Sequence, residues 1–398
     1  MKIKNLAKPI TQYAPLDHCI EGWSTQEIEI GKQVVKEGRA CVVVLAGGQG
    51  SRLNAKGSKG SICITPFAKK SLFQVIAEKV LAASQLVDRP LSLAFMTSKH
   101  NHEEVVNFFC AHNFFGLQSA QLAFFPQDEL PLLDENEQPF EVAPGEPALG
   151  PNGNGSIFEQ MVKSGLWKRW KSEGIELVQV LPIDNILATP FHFGLLGVHK
   201  KVGCDVTLAV SRKKEVDEKL GNVVIAENKV RIIEYSEFPQ EKKEALDASG
   251  NFVYKYLNLG LLTFSLPFIA RVGELPYHIA KKASARYRNG KIEPPLVPFA
   301  HKYEQFIFDS FLYAESVQAI HVKRADCYAP LKNLTGDDSI ASVQAALQRR
   351  DRIAFEEVTG IAPPENARFE LSQEFYYPTE EFQKKWRGKE LPKEGYIG

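Results

Sequence analysis

The sequence predicts an α/β protein built on a mixed, mostly parallel sheet with helices on both faces. Three observations predict it. From residue 41 onward, short apolar runs alternate with helix-length amphipathic segments, the pattern of βαβ units. The run Cys41-Val42-Val43-Val44 is apolar throughout, as a strand buried on both faces has to be. That strand leads directly into Leu45-Ala46-Gly47-Gly48-Gln49-Gly50-Ser51-Arg52-Leu53, a glycine-rich turn at a strand end, where open α/β sheets bind ligands.

The elements follow in order. Residues 1–38 read as a helical, partly irregular lead-in. Strands are expected at 41–46, 91–97, 121–125 and 177–181, with helices at 71–83, 102–112 and 156–164. Residues 127–155 are rich in Pro, Gly and acids and lack periodicity; a loop this long inside a compact domain is usually functional. After a strand at 206–211 the style changes. Segments 222–226 and 229–235 read as a hairpin around Glu227-Asn228, and 256–264 as a further strand. This amounts to a β-rich insertion over the substrate end of the sheet. His278, Lys281 and Lys282 read as the surface of an amphipathic helix. A helix near 339–350 and a polar, aromatic tail of weak pattern complete the chain. The domain division is 1–38, 39–333 and a small C-terminal region, 334–398.

Composition excludes several classes of function. With 398 residues, 44% apolar and 24% charged, the chain has ample material for a core. Its formal charge is zero, so no overall basic field recruits nucleic acid. No apolar run is long enough to span a membrane, and the N-terminus has no apolar leader. Cys19, Cys41, Cys63, Cys110, Cys204 and Cys327 lack Cys-x-x-Cys spacing. They are expected to be reduced, mostly core cysteines of a cytoplasmic protein rather than a disulfide frame or zinc site. The expected partners are small anions, with neither nucleic acid nor membrane.

The chemistry concentrates at strand ends. Without Cβ atoms, Gly47, Gly48 and Gly50 let main-chain amides converge on phosphate oxygens, and Arg52 and Lys59 add fixed positive charge. The loop is neither a P-loop nor a Gly-x-Gly-x-x-Gly dinucleotide turn; alone, it would equally suit a purely geometric turn. Pro151-Asn152-Gly153-Asn154-Gly155-Ser156 makes a tight turn before a helix N-terminus. Asp184 follows an apolar strand, so its charge requires a cation or a hydrogen-bond network, unless it only caps the next helix. Gln127 offers both donor and acceptor, as reading a base edge requires, though a loop glutamine is often just solvated. Lys70 is either a basic ligand contact or a solvated helix-start residue. No Ser-His-Asp or Cys-His constellation suggests a covalent intermediate.

The glycine turn followed by Lys59-Gly60 resembles the signature of sugar-nucleotide pyrophosphorylases, in particular the eukaryote-type UDP-N-acetylglucosamine pyrophosphorylase group. Such enzymes transfer UMP from UTP to a sugar 1-phosphate and release pyrophosphate. The matching segments span 41–345 in the same order. The resemblance implies a Rossmann-like sheet of nucleotide-diphospho-sugar transferase type, with 39–333 as catalytic domain and about 205–310 as its sugar-binding part. It assigns nucleotide binding to Leu45, Gly47, Gly48, Gln127, Asn154, Gly155 and Asp184, and catalytic charge to Arg52, Lys59 and Lys332. Asp184, in Leu181-Pro182-Ile183-Asp184-Asn185, matches the aspartate that holds Mg²⁺.

Sugar binding falls to Asn185, Gly221, Glu237, Asn258 and Lys302. Of Glu234 and Glu237, in Glu234-Tyr235-Ser236-Glu237, the second matches the hydroxyl clamp. Lys302 and Lys332 match phosphate-binding positions. The chain departs from the pattern at Asn54, Ser58, Asn152 and Ser156. It departs again after Asn258, where Leu259, Leu261 and Leu262 would narrow a pocket for an acetamido group. The implied substrates are UTP and N-acetylglucosamine 1-phosphate. Glucose 1-phosphate or several sugars are the alternative, and a non-catalytic nucleotide-sugar sensor is a third reading.

Overall fold

A computed structural model describes residues 5–48, 50, 53, 57–392 and 394–398. In chain order the strands that matter here begin with β1 (Ala40–Leu45), β2 (Leu93–Ser98), β3 (Leu122–Gln127) and β4 (Leu177–Pro182). Then come β5 (Val206–Arg212), β6 (Asn222–Ala226), β7 (Lys229–Ile233) and β8 (Tyr256–Ser265). The last are β9 (Tyr277–Ala283), β10 (Pro298–Gln305) and β11 (Val317–His321). The central sheet runs β11-β5-β8-β4-β1-β2-β3. β4, β1, β2 and β3 are parallel, as are β5 and β11, while β8 lies antiparallel between β4 and β5. The sheet is therefore mixed and mostly parallel, flanked by helices.

The apolar runs are continuous because both faces are covered. Val42, Val44 and Phe95 join one core with Phe73, Val105 and Phe109, whereas Cys41, Val43 and Met96 join another with Phe158, Met161 and Trp170. Alternate residues of one strand thus serve two cores. Helix α1 (Thr25–Lys36) starts at a capping box of Ser24 and Glu27. Helix α2 (Leu72–Leu86) starts where the Ser71 hydroxyl accepts the Gln74 N–H. Between β6 and β7, Glu227 and Asn228 both have positive φ, 52° and 58°, as a two-residue hairpin turn requires.

Three expectations change. Residues 277–283 form strand β9, not a helix surface: β9 pairs antiparallel with β10, His278 opposite Glu304 and Lys281 opposite His301. A partner strand some twenty residues away overrides the local spacing. β3 runs to Gln127, two residues past the expected end at 125, so that side chain stands on the strand tip. The C-terminal tail is no weakly patterned appendage. After β11, helix α3 (Ile340–Thr359) runs twenty residues from a Ser339 cap to Gly360. Strand Phe369–Leu371 pairs with Gly395–Ile397, and Phe355, Phe369, Phe375, Phe382 and Trp386 pack as a separate core.

Of the cysteines, Cys41, Cys204 and Cys327 are buried, but Cys63 and Cys110 are exposed; all six are free thiols. Among the described residues no helix is long and apolar enough to cross a membrane.

Phe355 is fully buried at the centre of the C-terminal core. Phe355→Ala is expected to cost about 3–5 kcal/mol in urea-induced unfolding. A loss below about 1 kcal/mol would contradict this packing.

Candidate active site

Parallel pairing aligns the ends of β1 and β4, Leu45 opposite Pro182, so the segments leaving both strands start side by side. Leu45 itself is half-buried there, its carbonyl accepting the Ile183 N–H at 3.2 Å. Beyond these tips opens a cleft of about 820 Å³, lined by Gly47, Gly48, Gln127, Asn154, Lys302 and Phe306 among others. Gln127 is locked in place, its Oε1 accepting the Gly153 N–H at 3.1 Å. Its Nε2 lies 2.1 Å from where a Cβ on Gly47 would sit, so a side chain at 47 would displace the Gln127 amide. Gly153, at φ +96°, passes against the Gln305 backbone, and buried Gly155 packs on the same residue. Asn154 Oδ1 accepts the Ile307 N–H at 2.9 Å. Lys302 pairs with Glu304 on the β10 wall, so it stands with Gln127 and Asn154 rather than with Gly221 and Asn258.

A second group is polar and charged. The Lys59 ammonium lies 3.3 Å from Asp184 Oδ2 and donates to the Leu331 carbonyl at 3.3 Å. Both side chains are only about one-fifth exposed, at 18% and 20%. Gly48 C=O accepts the Lys59 N–H, tying the lysine to the glycine turn. Asp184 C=O accepts the Leu331 N–H at 2.8 Å, which brings Lys332 to the same end. Burial would lower the Lys332 pKa, but the Tyr328 oxygen and the Asp184 and Asp338 carboxylates outweigh it and raise it above the ordinary lysine value. Arg52 lies outside the described residues, as do Gln49, Ser51 and Asn54.

In the third group, Gly221 C=O accepts the Asn258 N–H at 2.9 Å, and Asn258 Oδ1 accepts the Gly260 N–H. Glu234, not Glu237, stands beside Gly221. Burial, with repulsion from Glu237, raises the Glu234 pKa. Glu237 is 57% exposed and faces His278. Asn185 is fully buried, its Nδ2 donating to Cys327 C=O and its Oδ1 accepting the Ala329 N–H. Its amide is spent on pinning the segment that leads to Lys332, which corrects its sugar-contact assignment to a positioning role. Leu259 and Leu261 join one core of the sheet and Leu262 the other, so they do not wall the site. Lys70 is also structural, buried and bonded to Glu78 at 2.6 Å and the Tyr396 hydroxyl at 2.9 Å.

Several site residues escaped the sequence reading. Lys99, His100, Lys282, Glu304 and Phe306 line the cleft. Lys282, Glu304 and Phe306 depend on the β9–β10 ribbon, which local spacing did not reveal; Lys99 and His100 follow the β2 tip and were legible in principle. Arg286 ties the ribbon to the long loop, 2.8 Å from Asp134 and stacked over Phe299. Short strands Glu129–Pro131 and Leu149–Pro151 pair within that loop.

An open sheet with a glycine-walled polar cleft at its carboxyl edge is the architecture of nucleotide-binding α/β proteins. The chain belongs to the UTP–glucose-1-phosphate uridylyltransferase family, whose model matches residues 6–388. It is 32% identical over 322 residues to the UDP-N-acetylglucosamine pyrophosphorylase of Saccharomyces cerevisiae, covering 77% of this chain and 67% of that protein. To UDP-N-acetylglucosamine diphosphorylase 2 of Arabidopsis thaliana it is 32% identical over 330 residues, 78% of this chain and 64% of that one. The chain thus spans about two thirds of the length of these relatives.

A crystal structure from Entamoeba histolytica, described as a UDP-N-acetylglucosamine pyrophosphorylase, superposes with a TM-score of 0.86 at 26% identity. That match covers 97% of this chain and 100% of the other. A UDP-glucose pyrophosphorylase variant from Leishmania major, in complex with UDP-glucose, shares the fold at TM-score 0.67 and 18% identity, over 95% and 80% of the chains.

His278 anchors the ribbon beside this site, its Nε2 2.8 Å from Asp309 and its Nδ1 3.9 Å from Glu237. Arg231 reaches Asp309 at 3.9 Å from β7, and the Phe306 ring packs tilted against the imidazole. Burial would lower the imidazole pKa, but the Asp309 and Glu237 carboxylates raise it to about 9. A folded pKa above the unfolded value of about 6.5 gives stability that is full below pH 6.5 and lost as pH rises through 9. His278→Asn is therefore expected to lower Tm clearly at pH 6 and progressively less towards pH 9.5. A Tm difference independent of pH over that range would rule the ion pair out.

Proposed function

We propose that the chain transfers UMP from UTP to a sugar 1-phosphate, releasing pyrophosphate, with N-acetylglucosamine 1-phosphate as preferred acceptor. The observation that carries this is the junction of two groups at the β1 and β4 tips. On one side lies a cleft with room for a nucleoside, with Gly47, Gly48, Gln127 and Asn154; on the other, a charged cluster of Lys59, Asp184 and Lys332. Nucleoside and triphosphate need these two surfaces end to end. The Gln127 and Asn154 oxygens accept main-chain N–H groups, which leaves their NH2 groups as donors suited to the uracil carbonyls, and a base that offers no matching acceptor would leave them unpaired.

The chemistry asks mainly for alignment and charge neutralisation. A phosphate oxygen of the sugar 1-phosphate attacks the α-phosphorus in line, the bond from that phosphorus to the β-bridging oxygen breaks, and pyrophosphate leaves. The attacking phosphate is already ionised, so no general base is required. Lys59 and Lys332 offset the charge that grows on the leaving oxygens. Among the described residues no group of three or more His, Cys, Asp or Glu forms a metal cage. Asp184 is a single, partly exposed carboxylate, which suits Mg²⁺, an ion that takes one or two protein carboxylates and completes its octahedron with phosphate and water. When bound, Mg²⁺ would supply Lewis-acid charge neutralisation on the phosphates.

The N-acetylglucosamine preference is supported by the names of the curated relatives at 32% identity and by the leucines after Asn258 turning into the core. Glucose 1-phosphate is the second reading, favoured by the family description. We take 39–333 as the catalytic domain and the cytoplasm as the site of action; the six free thiols suit a reducing compartment.

Lys59→Ala is expected to lower kcat/KM by roughly 10²-fold, about 3 kcal/mol, with the fold intact. Steady-state kinetics at saturating Mg²⁺ test it; near-normal turnover would remove Lys59 from the mechanism. Asp184→Asn is expected to raise the Mg²⁺ concentration needed for half-maximal activity, and turnover that persists in excess chelator would sink the metal assignment. The function itself is decided by product analysis with UTP and equal concentrations of N-acetylglucosamine 1-phosphate and glucose 1-phosphate. UDP-N-acetylglucosamine is expected to predominate, and predominance of UDP-glucose would reassign the acceptor.

A further inference from the structure

The turn that carries Lys59 leads into a hairpin whose tip is held by the C-terminal region. Lys59–Ser61 form a short 3₁₀ turn ending at Ile62. From there the chain doubles back on itself. Leu72 N–H donates to Ile62 C=O, Ile64 N–H donates to Lys70 C=O at 2.8 Å, and Cys63 bridges Ser71. Residues 62–72 therefore form a closed hairpin loop with its tip at Phe67-Ala68. That tip meets Glu370, one carboxylate oxygen of which accepts the Phe67 N–H at 3.0 Å and the Ala68 N–H at 2.9 Å.

Glu370 is 5% exposed and lies on the strand Phe369–Leu371 of the C-terminal core. Burying a carboxylate costs several kcal/mol unless hydrogen bonds offset it, and main-chain amides are strong donors to it. Two further contacts reach the same loop from separate C-terminal elements: Gln344 Nε2 donates to Ile64 C=O at 2.9 Å, and Lys70 meets the Tyr396 hydroxyl. The opposite lip is held likewise. The Tyr377 hydroxyl donates to Pro190 C=O at 2.6 Å, and Lys332 N–H donates to Asp338 C=O at 2.7 Å, one residue before the α3 cap. One unit thus grips the loops that bring Lys59, Asp184 and Lys332 together.

We propose that Glu370 is a positioning residue for phosphoryl alignment: by fixing the 67–68 tip it sets where Lys59 stands relative to Asp184. The inference deepens the uridylyltransferase reading and rests on it for its kinetic consequence, but not for its structural one. An ångström-scale shift of a charge-neutralising group is enough to cost up to about 10²-fold in rate.

The test compares full-length Glu370→Ala and Glu370→Gln with wild type. Gln keeps one carbonyl oxygen able to accept both amides, whereas Ala removes the acceptor. The Ala variant is expected to lose tenfold or more in kcat, with KM for UTP changed less than twofold, and Gln to recover most of the loss. Amide hydrogen exchange, read without turnover, is expected to quicken at least tenfold over residues 59–62 in Ala and to return towards wild type in Gln.

Wild-type kcat in a folded Ala variant overturns the proposal, as does equal impairment of Ala and Gln, which would make charge rather than the amide bonds responsible. If Ala does not fold, Glu370→Asp, which withdraws the carboxylate by one methylene, takes its place, and a folded Asp variant with wild-type kcat and exchange overturns it equally. If the wild type forms no UDP-sugar, the functional reading fails by itself, and unchanged exchange at 59–62 then decides against Glu370 independently.

Discussion

The parallel pairing of β1 with β4 is the constraint on which the site depends. With Leu45 opposite Pro182, the glycine turn and the Asp184 turn leave adjacent strands at the same height. A slip of one residue would turn Val42 and Val44 from one core into the other and exchange them with Cys41 and Val43. Both cores are close-packed, so the exchanged side chains would no longer fit their neighbours, and this packing favours the observed register. The 3.3 Å approach of Lys59 to Asp184 is then a consequence of hydrophobic burial some distance away. Elements with no charge of their own determine where the charges meet.

What the strands align, buried polar groups hold still. Asn185 spends its amide on the backbone at 327 and 329, and Lys79, fully buried on α2, donates to the carbonyls of Ile186 and Ala188 at 2.6 and 2.9 Å. Burial lowers the Lys79 pKa to about 7. Each of these groups is costly to bury and would leave unpaired partners if removed. Just beneath the Asp184 turn they satisfy main-chain groups that would otherwise be buried without partners.

How much of this was legible follows from the range of the interactions. The spine strands were legible because burial on both faces writes itself as an unbroken apolar run, and the β6–β7 turn because Asn228 tolerates positive φ. The glycine turn, Asn154 and Asp184 were legible as strand-end chemistry. Strand β9 was not, since its hydrogen bonds come from β10 and its alternating polar residues also fit a helix face. The C-terminal core was hidden for a similar reason: Phe369 pairs with Gly395 across 26 residues and its aromatics are spaced among charges. Glu234 and Glu237 lie three residues apart in one turn, and only the approach of Gly221 and His278 separates the inner carboxylate from the outer one.

The stretch around Asn258 shows how a strand can carry polar groups without ceasing to be a strand. Along β8 the odd positions Leu257, Leu259 and Leu261 all enter one core, while Tyr256, Leu262 and Phe264 enter the other. Between Tyr256 and Leu262 that second face is interrupted by Asn258 and Gly260, which are half-buried, and by a register shift of β5 between Leu208 and Val210. Gly260, at φ +70°, is the point where the regular pleat gives way. The gap therefore arises from two small or polar residues in an otherwise apolar face. Leu259 and Leu261 beside it, which by size alone would crowd a sugar, are residues that keep the strand anchored on its other side, and Leu262 closes the gap from within the second core. Side-chain bulk in the sequence thus says little about pocket width until the pleat assigns each residue to a face.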